Sequence, residues 1–127
     1  MRSLIHVLHI TPHLGGGVGS VLLAWLKNDK LCQHEVITLD YANEYATEKL
    51  HEFGVPLYSQ PPLDIIDKKI EGADIVLIHF WNHPLLYDLI VRHKMPFARI
   101  IFWAHISGLS APNIITEKVA NFPDKFV

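Results

Sequence analysis

The stretch LIHVLHITPHLGGGVGSVLLAWLKNDK, Leu4–Lys30, decides the fold. Leu4–Ile10 is apolar, rich in branched side chains and free of carboxylates and lysines, which predicts a buried strand. Thr11–Ser20 (TPHLGGGVGS) concentrates proline and glycine and predicts a loop. Val18, Val21, Leu22, Trp25 and Leu26 then recur at helical spacing, forming one apolar stripe on a helix that ends near Lys30. Strand, glycine turn and amphipathic helix make the opening unit of a parallel α/β sheet.

The same alternation continues outward. Glu35–Asp40 predicts a second strand, and Asn43 caps a helix whose Ala46, Leu50 and Phe53 face inward before Gly54 ends it. Val55–Tyr58 contains Pro56 and reads as a short edge strand. A helix over Leu63–Ile70 follows the Pro61-Pro62 break. Ala73–Trp81 is the most apolar run and predicts a central strand. Pro84 suits the first turn of a helix with Leu85, Leu86, Leu89 and Ile90 on its stripe. Arg99–Ala104 reads as a further buried strand, His105–Asn113 as a loop, Ile114–Ala120 as a helix and Lys125–Val127 as the start of a strand. The order βαβαβαβαβαβ predicts a single domain over residues 1–127: a Rossmann-like, doubly wound parallel sheet with helices on both faces. Its ligands would bind at the carboxyl ends of the strands, where the strand order reverses.

Composition narrows the function. The chain has 127 residues, a mass of 14.5 kDa, a formal charge of −2 and a sequence pI near 6.5. That balance argues against a phosphate-neutralising groove and so against nucleic acid as a partner. One cysteine, Cys32, cannot form an internal disulfide. The apolar stretch after Arg2 is short and interrupted by His6 and His9, unlike a signal peptide. No run approaches the roughly 18 apolar residues of a membrane span. These features predict a cytoplasmic protein. The mean hydropathy of +0.20 and the strand-like final residues predict that the sequence is the front part of a longer chain.

Three strand-end loops would line the site: Thr11–Ser20, His79–His83 and Ala104–Gly108. Gly15, Gly16 and Gly17 precede a helix whose free N–H groups suit a diphosphate or carboxylate, although the same run also serves as a plain turn. The fingerprint G-x-G-x-x-G fails, because its third position falls on Ser20 or Leu22. Asp40 alone matches a ribose-binding acid. No Gly-Lys-Ser/Thr follows the glycines, so no P-loop is present.

The nine histidines invite a metal reading, but no carboxylate or cysteine cluster joins them in the sequence, and no metal is expected. His6 and His9 point to opposite faces of one strand. His79 ends a strand and His83 starts a helix. His105 follows a buried strand and suits either a crevice-facing acid, base or hydrogen-bond donor, or a packing role. Trp81 and Asn82 suit a polyhydroxylated ligand, or else core packing and helix capping. Ser107 and Ser110 lack a nucleophile elbow.

In order and spacing, HVLHITPHLGGGVGSVLLAWLK (His6–Lys27), HEVITLD (His34–Asp40), FGVPLY (Phe53–Tyr58), ADIVLIHFWN (Ala73–Asn82) and RIIFWAH (Arg99–His105) resemble the N-terminal domain of a GT-B-fold, family 4-like retaining glycosyltransferase. The resemblance covers nearly the whole chain. It implies a sugar moved from a nucleotide-sugar donor, used as co-substrate, to a sugar, lipid or other hydroxyl acceptor, with no other cofactor. Gly15, Gly16 and Gly17 would lie beside the diphosphate. His105 would contact the reacting sugar as the catalytic residue. His13, Trp81, Asn82 and Ser107 would line the acceptor side. A C-terminal donor-binding domain would be the missing partner, and the full-length protein could associate peripherally with membrane. The basic residue often found just after the family's glycine loop is absent, with Ser20 in that region. The residues also leave open a self-contained nucleotide- or flavin-binding module of flavodoxin type, although a receiver is disfavoured by Thr11, Pro12 and His13 where acids should stand.

Overall fold

The computed structural model describes residues 4–105 and 117–127. Six parallel strands form one sheet: β1 (Ile5–Leu14), β2 (Cys32–Ala42), β3 (Leu57–Ser59), β4 (Ile75–Phe80), β5 (Ile100–Ala104) and β6 (Lys125–Phe126). Their order is β3-β2-β1-β4-β5-β6, the doubly wound arrangement, with its reversal between β1 and β4. Helices α1 (Gly16–Asn28), α2 (Glu44–Glu52), α3 (Leu63–Gly72), α4 (Pro84–Tyr87) and α5 (Glu117–Asn121) connect the strands. The last residues of α4 continue into a π-helical turn over Asp88–Arg92.

The parity of β1 divides the core. Leu8 and Ile10 face one side, where Ile66 and Ile70 of α3, Leu86 of α4, Phe80 and Phe102 pack with Ile78. Leu22, Leu23 and Leu26 of α1 and Ala46 and Leu50 of α2 cover the other side against Leu14 and Val36. The alternation of strand side chains thus fills both layers. Asn43 caps α2 as its sequence predicts, its side chain accepting from the Ala46 N–H at 2.7 Å. Gly54 ends the helix at φ +72°, a left-handed conformation suited to glycine.

Two expectations change. First, β1 runs on through Pro12 and His13 to Leu14, where the sequence predicts a loop. The pairing with β2 slips between Thr11 and His13, and Pro12, which lacks an N–H, sits at that irregularity. The pairing with β4 already stops at Ile10. The loop therefore shrinks to Gly15, and Gly16 and Gly17 open α1. Second, the stripe of α1 rotates: Val21 is 46% exposed, while Gly19 and Leu23 turn inward. Leu85, expected on the stripe of α4, is also exposed. No helix among the described residues is long and apolar enough to cross a membrane.

Candidate functional site

The strand ends at the β1/β4 reversal bring His13, Trp81 and His105 together, with Tyr41 and Trp103 on the flanks. The His13 ring lies 5.0 Å from both Tyr41, nearly parallel to it, and Trp81, edge-on. Trp81 reaches His105 at 6.3 Å, and Trp103 meets His105 at 5.0 Å. These rings form a half-buried aromatic wall. Burial and the neighbouring His83 push the His13 pKa down, and Asp40 partly opposes this. Burial also lowers that of His105. Both imidazoles are therefore neutral near pH 7, each with one nitrogen able to accept a hydrogen bond.

The glycines stand at the mouth of α1. A Cβ at Gly16 or Gly17 would meet nothing within 4 Å, so the backbone there is open to a ligand. A Cβ at Gly15 would stand 3.3 Å from the Asn43 side-chain amide nitrogen, so this position is closer packed. Asp40 lies 3.5 Å from the His83 ring, and that ring also accepts from the Leu85 N–H at the start of α4. Asn82 does not join the aromatic wall through its amide nitrogen, which donates to the Tyr87 hydroxyl at 2.6 Å. Ser107 lies outside the described residues.

Sequence reasoning missed what stands behind His105. Nε2 of His105 is 3.1 Å from Nδ1 of His79. Nε2 of His79 is 3.1 Å from Nδ1 of His9. Nε2 of His9 is 2.8 Å from Nδ1 of His34. Nε2 of His34 ends on the Asp29 carboxylate at 2.6 Å. Four imidazoles thus connect a carboxylate to the strand-end site.

Sheet register builds this line. His34 pairs with Val7, two residues before His9; His9 pairs with Leu77, two before His79; and His79 pairs with Trp103, two before His105. Each step moves one strand across and two residues up, so all four rings share a face. His9 and His79 have no exposed surface. Trp25 lies edge-on to His9, and Trp103 packs against His79.

Burial, then the neighbouring His79 and His34, holds the His9 pKa well below 6.5. Burial and His105 push that of His79 down to about 3. Asp29 is held below the ordinary carboxylate value, first by the Leu31 N–H and then by His34.

The expectation that no carboxylate or cysteine joins the histidines is corrected here: Asp29, Cys32 and His34 place one ligand-type atom each within 4.8 Å of one another. The carboxylate–imidazole bond already uses the atoms of Asp29 and His34. Burial and the Asp29 charge raise the Cys32 pKa. The cluster is a hydrogen-bonded one.

No family model and no curated protein matches the chain. Among solved structures it is similar to the glycosyltransferase GlyE of Streptococcus pneumoniae TIGR4. The apo form aligns with a TM-score of 0.53 at 13% identity, over 96% of this chain and 28% of that one. A second GlyE structure aligns with a TM-score of 0.52 at 14% identity, over 98% and 29%. The chain therefore spans less than a third of GlyE. What the likeness shows is the fold: a Rossmann-like parallel α/β sheet that also occurs in a glycosyltransferase.

Proposed function

We propose that this chain forms the acceptor side of a retaining glycosyltransferase of GT-B type, with the donor site on a separate domain. The observation that carries the reading is the wall of His13, Trp81, Trp103 and His105 at the β1/β4 reversal, next to the bare opening of α1. Flat aromatic faces suit the C–H faces of sugars, and the neutral imidazoles suit their hydroxyls. The N–H groups at Gly16 and Gly17 and the helix dipole favour an anion, here the diphosphate of a nucleotide sugar. His105 would hydrogen-bond the reacting hydroxyl. Transfer would rest on positioning and on electrostatic help to the leaving diphosphate. The likeness to GlyE supports the same reading.

Calorimetry combined with backbone-amide NMR tests it. Nucleoside diphosphates and their sugars should shift Gly15–Gly19, and saccharides should shift the Trp81 indole and the His105 ring. The 127 residues alone should not turn over a nucleotide sugar. Tight binding of FMN or NAD(P), with saccharides inert, would replace the transferase reading with a self-contained nucleotide module.

A further inference from the structure

We propose that Asp29, His34, His9, His79 and His105 form a proton conduit that carries a proton from a ligand hydroxyl at His105 to the opposite end of the sheet. Donors and acceptors along the line fix the tautomers. An ionised carboxylate only accepts, so Nε2 of His34 must carry the proton of the 2.6 Å bond. With His34 neutral, its Nδ1 is bare and takes the Nε2–H of His9. His9 in turn takes the Nε2–H of His79, and His79 that of His105. Every ring is an Nε2–H tautomer, and the remaining lone pair lies on Nδ1 of His105. Among the described residues that nitrogen has no hydrogen-bond partner.

One added proton can reside at either end. On His105 it leaves the other tautomers unchanged. On His34 it turns His9, His79 and His105 into Nδ1–H tautomers. A resting charge in the middle is disfavoured, because burial opposes a cation on His9 or His79. The Asp29 end opens on a hollow of about 540 Å³ lined also by Lys30, Cys32 and Gln33. The far end of the conduit is thus in reach of water, while its middle is dry.

The transfer balances. A hydroxyl donating to Nδ1 of His105 breaks its O–H bond and leaves the electron pair on oxygen, and a new N–H forms at His105. His105 gives its Nε2 proton to Nδ1 of His79, His79 to His9, and His9 to His34. The line then holds one more proton than before, at the His34–Asp29 pair. The proton then returns by the same route or leaves from the Asp29 end. Using this step on a sugar hydroxyl rests on the transferase reading; the tautomer order does not.

The test is imidazole nitrogen NMR on the unmodified protein, followed across pH without any sugar. Above about pH 8 all four rings should report Nε2–H. At every lower pH His9 and His79 should share one tautomer. A mixed pair would mean the line is broken and would overturn the proposal. Asp29→Asn supplies an amide that can donate as well as accept, so His105 should lose its single tautomer although it is four residues along the line. Asp29→Glu should retain it. An unchanged His105 in folded Asp29→Asn would also overturn the conduit. Should that variant not fold, the unmodified protein decides alone. Failure of sugars to bind would sink the transferase reading and leave these tautomers as measured.

Discussion

His79 and His105 lie with their ring planes 15° apart, Nδ1 of the first 3.1 Å from Nε2 of the second. A fully buried imidazole thereby connects a site-facing one to the sheet interior. His79→Leu fills similar space but leaves a ring nitrogen of His9 without its partner in a dry environment. We expect a loss of about 1–3 kcal/mol in urea unfolding. An unchanged midpoint would show that the hydrogen bonds of the line add nothing to the fold.

Stability should fall with acid in a defined window. His9 and His79 have folded pKa values below the ordinary 6.5, that of His79 at about 3. The unfolded chain therefore binds protons that the folded chain refuses. Both contributions are fully present above about pH 6.5 and fall below it, at up to about 1.4 kcal/mol per pH unit for each ring, and that of His79 is lost as pH falls towards about 3. Denaturant midpoints at about pH 7 and about pH 5 read this directly. His79→Leu should flatten the slope, and a pH-independent midpoint in the unmodified protein contradicts the burial argument.

Gly16 and Gly17 separate conformation from access. Both face open space, but only Gly16 has a positive φ, +62°. Gly16→Ala should cost about 1 kcal/mol in thermal or denaturant unfolding. Gly17→Ala, in the first turn of α1, should change stability by a few tenths or raise it slightly. If a diphosphate approaches this backbone, both substitutions weaken its binding in calorimetry. Unaltered affinity in Gly17→Ala would move the anion elsewhere.

On the proposed transferase reading, His105→Gln, at a ring that is only partly buried, should leave the fold intact and lower sugar transfer by about 100-fold or more. A rise in acceptor KM with kcat unchanged would instead make His105 a binding group.

Much of the fold was legible because it rests on local pattern. The apolar run Ala73–Trp81 became the central strand Ile75–Phe80, Asn43 became a cap, and Pro56 marked an edge. The length of β1 was not legible, since Pro12 and the glycines outweigh a pairing that only β2 supplies. Val21 and Leu23 exchanged roles because the face of α1 that packs inward runs through Gly19, Leu22, Leu23 and Leu26. His13, Trp81 and His105 could be proposed from strand ends alone. The imidazole line could not, because its links join residues 25, 70 and 26 positions apart. Strand order and the height of each histidine on its strand must be combined to find it. Asp29 lies beyond the end of a helix, where an acid carries no signal of its own.

The three tryptophans of the chain each lie against one of these histidines: Trp25 is 5.0 Å from His9, Trp103 is 5.6 Å from His79 and Trp81 is 5.0 Å from His13. An excited indole gives up an electron readily to an imidazolium and much less readily to a neutral imidazole. The intrinsic fluorescence of the protein is therefore an optical gauge of charge along the sheet, in which a cation at the His9 ring would dim Trp25 and one at His13 would dim Trp81. Replacing the tryptophans one at a time by phenylalanine would turn that gauge into a position-resolved one without attaching a dye.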